Sequence, residues 1–287
     1  MSIRILTDSA SDMVSGARSD VTVLPLRVRF GDEEFMDGVD ISHREFYEKL
    51  VETEELPITS QATPYDYEKV YKEAAEAGDT LIVITLSSKL SGTYQSAVVA
   101  AADYENIYVV DSENVTVGEH ALAELALRLK DSGMEAADIV SCLEREKKNI
   151  RLVALLDTLE YLKKGGRISK TAAVAGSLLS IKPVIAIENG EVVMLGKARG
   201  SRHGNNLLVE KIKESGGIDF EKPHILGYTG FSDALLRKYI ADSAALWQGE
   251  VDSLEITTVG AVIGTHVGPG AIAVAFFCKD GKFQSAD

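Results

Sequence analysis

The sequence predicts a two-domain α/β protein. The N-terminal domain has a mostly parallel, Rossmann-like sheet with helices on both faces, and the C-terminal domain has a mixed sheet. With 287 residues, the chain is long enough for two ordinary domains. Strand and helix patterns alternate through the first half, which is typical of a parallel sheet. The second half carries the hairpin signal Asn189-Gly190, which favours antiparallel pairing. We expect the boundary near residue 150, between domains 1–150 and 151–287.

Apolar runs predict the strands of the N-terminal domain, and capping signals predict its helices. The expected strands are 3–7, 21–28, 80–86 and 107–111, with a helix start between the first two. Ser42 and Glu45 have capping-box spacing at the head of a helix. Thr63 as N-cap, Pro64 in the first turn and Gly78 at the end frame the next one. Two further helices are expected, one ending near residue 103 and one over 116–133.

The C-terminal domain mixes hairpin and helix patterns. Its hairpin covers 183–195, and a helix of unusually small residues, "SKTAAVAGSLLSI", precedes it. The other expected elements are a strand at 151–157, a helix at 203–215, a strand at 223–228, a helix at 232–247 and strands around 254–259 and 271–277.

The charge is distributed unevenly. The chain has 30 basic and 44 acidic residues, a net charge of −14. Residues 1–150 carry −15 and residues 151–287 carry +1. The acidic half would repel nucleic acid, so we expect a small anionic ligand or a partner surface for the basic segment 163–202, unless its charges are merely solvated. Its eight basic residues, against two acidic ones, are Lys163, Lys164, Arg167, Lys170, Lys182, Lys197, Arg199 and Arg202.

Several classes of protein are excluded. No apolar run approaches the ~18 residues of a membrane span, and the N-terminus has no signal-peptide layout. Cys142 and Cys278 are far apart without a CxxC motif, which predicts two reduced, buried thiols in a cytoplasmic protein. The five histidines lack metal-ligand spacing, so we expect neither a metal nor another cofactor.

The segment "SSKLSGTYQSA" follows a buried strand and ends at a helix N-terminus. Its residues 87–92, here called the hydroxyl loop, offer serine hydroxyls and the flexible backbone of Gly92. A loop at the carboxyl end of a parallel strand, leading into a helix, is a natural anion site. It is not a P-loop, because GxxxxGK[ST] is absent. The alternative is a hydroxyl-capped turn without a ligand.

Three other segments could contribute to a site. "ITSQAT" places Thr59 and neighbouring neutral donors just before a helix. "GTHVGPG" places His266 in what reads as a glycine-rich loop between two strands, where it could bind an anion, act in acid–base chemistry or simply be exposed. "KKGGRISK" combines a glycine pair with basic residues.

A serine hydrolase with Ser91 as nucleophile and His266 as base is a competing interpretation. The GxSxG motif is absent, and no acidic residue is obviously placed to orient His266.

Seven segments, in register along almost the whole chain, resemble the DegV family of fatty-acid-binding subunits of bacterial fatty acid kinase systems. There is one departure. Ala62 follows the TSQ motif where the family often has proline, and Pro64 comes two residues later. The segments are "LTDSASDM", "TSQAT", "TLSSKLSGTYQSA", "YVVDSENVTVGEHAL", "LEYLKKGGRISK", "GSLLSIKPVIAIENGEV" and "THVGPGAIAV".

The resemblance implies a carrier that is not itself an enzyme. It would bury a long-chain fatty acid such as palmitate between its domains, with Thr59, Ser91, Gly92 and His266 at the carboxylate. A separate ATP-dependent kinase would convert the carboxylate into an acyl phosphate for phospholipid synthesis. We expect the basic segment to dock this kinase or stabilise the acyl phosphate, through Arg167, Lys170 and Arg202. The competing class is an enzyme acting by itself, either the hydrolase or a phosphotransferase.

Overall fold

A computed structural model describes residues 2–168 and 181–279. The predicted fold class is confirmed, because the described residues form a four-stranded parallel sheet, a six-stranded mixed sheet and a small three-stranded sheet. The strands are β1 (Ile3–Asp8), β2 (Val21–Leu24), β3 (Arg27–Phe30), β4 (Glu33–Met36), β5 (Ile58–Ser60), β6 (Thr80–Thr85), β7 (Ile107–Asp111), β8 (Ile150–Leu155), β9 (Ile181–Glu188), β10 (Glu191–Arg199), β11 (His224–Tyr228), β12 (Glu255–Thr258) and β13 (Ile272–Phe277).

The helices begin and end largely at the predicted signals. Both N-terminal capping boxes form, one between Ser42 and Glu45 and one between Thr63 and Asp66. The helices Ala136–Glu146 and Glu160–Lys164 were not predicted, and the helix predicted over 232–247 covers only Ala234–Asp242. The helices are α1 (His43–Glu52), α2 (Pro64–Ala77), α3 (Thr93–Ala100), α4 (Val117–Asp131), α5 (Ala136–Glu146), α6 (Glu160–Lys164), α7 (Gly200–Glu214), α8 (Ala234–Asp242) and α9 (Ala261–Val267).

The parallel sheet has the strand order β2-β1-β6-β7. Its central strand β6 is buried from Leu81 to Thr85, so both faces of the sheet are covered. Helix α2 packs against α3, α4 packs against α5, and all four contact β6. The hydroxyl loop leaves the carboxyl end of β6 and leads into α3.

The predicted single strand 21–28 is wrong. Pro25 has no N–H to donate to a neighbouring strand, and it separates β2 from β3. The N–H of Leu26 donates to Ser9 Oγ at 3.1 Å instead of to a strand. Strand β3 then joins β4 and β5 in an antiparallel sheet, where Val28 pairs with Thr59. The helix start expected before β2 is only a 3₁₀ turn, Ser9–Ser11.

The mixed sheet has the order β10-β9-β8-β13-β11-β12 and comes entirely from residues 150–277. The predicted hairpin is confirmed, because Asn189 (φ 51°) and Gly190 (φ 82°) connect β9 to β10 in the left-handed conformation of a tight turn. The predicted small-residue helix lies almost wholly outside the described residues. The domain boundary near residue 150 stays a prediction.

The predicted glycine-rich loop around His266 is wrong, because residues 261–267 form helix α9. The side chain that caps this helix is remote in sequence. Asp37 Oδ1 accepts the N–H of Ala261 at 2.8 Å, and Oδ2 accepts that of Val262 at 3.3 Å. Gly264 lets α9 approach α1 closely, since a Cβ there would lie 2.6 Å from the Phe46 ring. Tertiary contacts therefore form this helix.

No helix within residues 2–168 and 181–279 is both long and apolar enough to cross a membrane. Both cysteines are free thiols. Cys278 is buried as expected, whereas Cys142 on α5 is partly exposed.

We predict that Asp37→Ala destabilises the fold. The change leaves two buried N–H groups of α9 unpaired, so the free energy of unfolding should fall by about 1–3 kcal/mol. Urea denaturation followed by circular dichroism measures this. The control is Asp32→Ala, which removes an exposed aspartate from the same half of the chain. Equal stability of the two variants would contradict the capping role.

Candidate functional site

A cavity of about 380 Å³ lies between the mixed sheet and the N-terminal elements. Its wall comes from β8, β9, β10, β11 and β13 on one side, and from β5, the hydroxyl loop and α9 on the other. Most lining side chains are aliphatic. Its size and composition are typical of a site for a small, largely apolar ligand.

The sheet side of the cavity contains a row of small residues. Ala273 on β13 pairs with Gly227 on β11 and with Ala154 on β8, and Ala154 pairs with Ile185 on β9. All four line the cavity. Because paired residues stand side by side across a sheet, Ala273 and Ala154 leave room over two neighbouring strands. Beside Gly227 the space is filled, since a Cβ there would lie 2.9 Å from the Val117 side chain. The two alanines therefore leave space for a ligand over β8 and β13.

Thr59 and His266 meet on the opposite wall. They are 207 residues apart in sequence, yet Thr59 Oγ1 lies 2.9 Å from His266 Nε2. Strand β5 holds Thr59 through its pairing with Val28, and α9 holds the imidazole. If Nε2 carries the hydrogen, the threonine hydroxyl can donate its own proton to a ligand.

The hydroxyl loop forms the neighbouring part of the wall. Ser91 Oγ lies 2.9 Å from Thr93 Oγ1 and accepts the N–H of Thr93 at 3.3 Å. Gly92 contacts the Gln61 side chain so closely that any Cβ would overlap it. Gln61 Nε2 in turn donates to Ser96 Oγ on α3 at 3.0 Å. Gln61 therefore holds the TSQ segment against the loop.

Arg167 also lines the cavity. Its Nε donates to the carbonyl of Leu90 in the hydroxyl loop at 3.3 Å, and its Nη1 donates to Gly165 O at 2.6 Å. Gly165 leaves room for the His266 ring, because a Cβ there would overlap Nδ1. The residues following α6 thus place a positive charge and a close backbone contact beside the imidazole.

The environment of His266 keeps its ring neutral. Burial, and to a lesser extent the positive charge of Arg167, lowers the pKa of His266 from 6.5 to about 4. Its Nδ1 is buried without a hydrogen-bond partner among the described residues. A negative charge entering beside Nε2 and Arg167 would be stabilised by both groups.

The structure brings most of the predicted site residues to one cavity. Thr59, Ser91, Gly92 and His266 all line it. Of the predicted docking residues, Arg167 also lies in the cavity wall, Arg202 is exposed in the first turn of α7, and Lys170 lies outside the described residues.

Sequence reasoning did not assign a site role to Gln61 or Gly165. The only signals were the neutral donors of "ITSQAT" and the glycine pair of "KKGGRISK". Neither signal indicates which residue Gln61 or Gly165 contacts, because the contacted residues, Gly92 and His266, are distant in sequence.

The groups are not arranged for hydrolysis. His266 Nε2 bonds Thr59, and the Ser91 hydroxyl bonds Thr93. A triad base also needs an acceptor on its second nitrogen, and Nδ1 finds none in the described part of the chain. Within that same part, no group of three or more His, Cys, Asp or Glu side chains could hold a metal ion.

The fold and the cavity place this chain among two-domain α/β proteins, and three known proteins resemble it over nearly its whole length. A DegV domain-containing protein of Caldanaerobacter subterraneus subsp. tengcongensis is 35% identical over 96% of this chain and 98% of its own. A DegV lipid-binding protein of Thermotoga maritima superposes with a TM-score of 0.85 at 28% identity, covering 98% of this chain and all of that one. A fatty-acid-binding DegV protein of Thermus thermophilus superposes with a TM-score of 0.83 at 31% identity, covering 96% and 100%.

The family model described as "Uncharacterised protein, DegV family" matches residues 2–279. The chain therefore belongs to the DegV family.

We predict that Arg167→Gln raises the pKa of His266. The guanidinium charge is the smaller of the two causes that lower the pKa of His266, and burial is the larger. Without this charge the pKa should rise above about 4, but it should stay below 6.5 because the ring remains buried. NMR titration of the imidazole measures it. The control is Lys163→Gln, which removes an exposed charge from α6. A pKa that is the same in both variants would show that Arg167 does not act on the ring.

Proposed function

We propose that this protein binds one long-chain fatty acid in the cavity and presents its carboxylate to a separate ATP-dependent kinase. The observation that carries the proposal is an aliphatic cavity with unpaired donor capacity where Thr59, Ser91, His266 and Arg167 converge. The fatty-acid-binding relative from Thermus thermophilus supports the ligand class.

The acyl chain would supply most of the affinity. Palmitate has about 14 methylenes, and burying each is worth ~0.8 kcal/mol, or roughly 11 kcal/mol in all. Ala273 and Ala154 leave room over the sheet where such a chain can lie. The carboxylate head group needs hydrogen-bond donors, because burying it without any would cost several kcal/mol.

Thr59, Ser91, the Gly92 backbone and His266 would hold the carboxylate. The hydroxyls donate hydrogen bonds, while Arg167 supplies a favourable field from the cavity wall. A carboxylate is already ionised near neutral pH and needs no general base before it attacks phosphorus. This fits a site whose histidine is neutral and not oriented as a base.

The kinase step would take place at the partner. One carboxylate oxygen forms a bond to the γ-phosphorus of ATP, the bond from that phosphorus to ADP breaks, and acyl phosphate for phospholipid synthesis results. The protein itself would be a cytoplasmic carrier and not an enzyme. Of the three predicted docking residues, Arg202 is the one that the structure describes at an exposed position. Cations are unfavourable in the first turn of a helix, so helix stability does not explain its position on α7.

We predict that the purified protein carries one fatty acid per chain, detectable by native mass spectrometry. Thr59→Ala and Ser91→Ala should each weaken palmitate binding by about 1–3 kcal/mol, as expected for a hydrogen bond to a charged group. Calorimetric titration with palmitate measures this. Ser141→Ala, which removes an exposed hydroxyl on α5, should bind like the parent. Parent-like binding by both site variants would place the carboxylate elsewhere.

The docking role has its own test. Arg202→Glu should reduce kinase-dependent acyl phosphate formation by about tenfold, because charge reversal opposes an acidic partner surface. Palmitate affinity should not change, since Arg202 does not line the cavity. Lys213→Glu is the matched control, an exposed charge reversal in the last turn of the same helix. Equal losses in both variants would indicate a general charge effect and contradict docking at Arg202.

A further inference from the structure

The tip of the β9–β10 hairpin is buried against the hydroxyl loop. Hairpin tips are usually exposed, yet of the two turn residues only Asn189 is exposed, and Gly190 is buried. Ser87 Oγ donates to the carbonyl of Gly190 at 2.7 Å, across 103 residues of sequence. Gly190 and Ser87 are in close contact, because a Cβ on Gly190 would lie 2.5 Å from Ser87 Oγ.

Ser87 also organises its own loop. Its Oγ accepts the N–H of Lys89 at 3.2 Å, and its carbonyl accepts the N–H groups of Leu90 at 3.0 Å and Ser91 at 3.2 Å. The Ser87 N–H donates to Asn114 O at 2.8 Å. This fully buried serine thus uses its hydroxyl as donor to the hairpin and as acceptor from the loop.

Both sides of this contact continue directly into the cavity wall. Leu90, Ser91 and Gly92 follow Ser87 and line the cavity. Ile187 on β9 and Val192 on β10 flank the hairpin turn, and both also line the cavity. Separating Gly190 from Ser87 would therefore displace wall residues of both domains and open the cavity between them.

We propose that Ser87 is a positioning residue for the hydroxyl loop, and that its contact with Gly190 sets the rate at which a bound fatty acid leaves. The proposal rests on the proposed function. It assigns Ser87 no contact with the ligand. The serine acts through Ser91 and Gly92, and through the hairpin that closes the cavity beside them.

Release of radiolabelled palmitate from the full-length protein to excess fatty-acid-free albumin tests this. Ser87→Ala should raise the dissociation rate constant about tenfold, because it leaves the buried Gly190 carbonyl and Lys89 N–H unpaired. Ser88→Ala is the matched control, since its side chain is exposed one residue further along the same loop. It should release palmitate like the parent.

Gly190→Ala tests the contact from the other side, because its new methyl group would push against Ser87 Oγ. Gly31→Ala is its control. Gly31 lies between β3 and β4 with φ +58°, and nothing lies within 4 Å of a Cβ there, so it carries backbone strain without the contact. Gly190→Ala should speed release while Gly31→Ala should not, even where thermal denaturation shows equal loss of stability. The double variant Ser87→Ala/Gly190→Ala should release no faster than the faster single variant.

The outcomes separate this inference from the proposed function. A parent protein that does not bind palmitate would overturn both. A parent that binds palmitate, with equal release rates from Ser87→Ala and Ser88→Ala, would overturn the role of Ser87 and leave the proposed function standing. Additive effects in the double variant would show that the two residues act separately, which also contradicts the proposal.

Discussion

The carboxylate of Asp37 accepts the first N–H groups of α9, and the polar wall of the cavity depends on that contact. A helix of seven residues is too short to be stable alone, so α9 needs an external cap and close packing. Burial raises the pKa of Asp37, and the two backbone N–H groups offset part of that cost. With α9 fixed, His266 reaches Thr59 from the other end of the chain.

The cavity separates two physical tasks. Aliphatic residues from the sheet and α9 exclude water, which favours an apolar chain in proportion to the area that it buries. Polar groups from three distant segments meet where β5, the hydroxyl loop and α9 come together. Under the proposed function, the aliphatic residues would supply most of the affinity, and the neutral hydroxyls would supply the hydrogen bonds that a buried carboxylate requires.

Features with local causes were predictable from the sequence. The capping boxes at Ser42 and Thr63 and the turn at Asn189 depend only on neighbouring residues. The set of cavity segments was also recognisable, as hydroxyls and glycines at element ends. Helix α9 was not predictable, because its cap is 224 residues away in sequence and its glycines suggested a loop. Nor could spacing show that Arg167 lies in the cavity wall and not on the open surface.

Several close contacts at this site are made by glycines. Gly92 against Gln61, Gly165 against His266 and Gly264 against Phe46 each leave no space for a Cβ. Replacement by alanine normally deletes atoms and measures what they contributed. At these three positions the same replacement adds an atom and measures how far the neighbour can yield. An alanine scan of the site would therefore report two opposite kinds of perturbation under one name, and its values could be compared only within each kind.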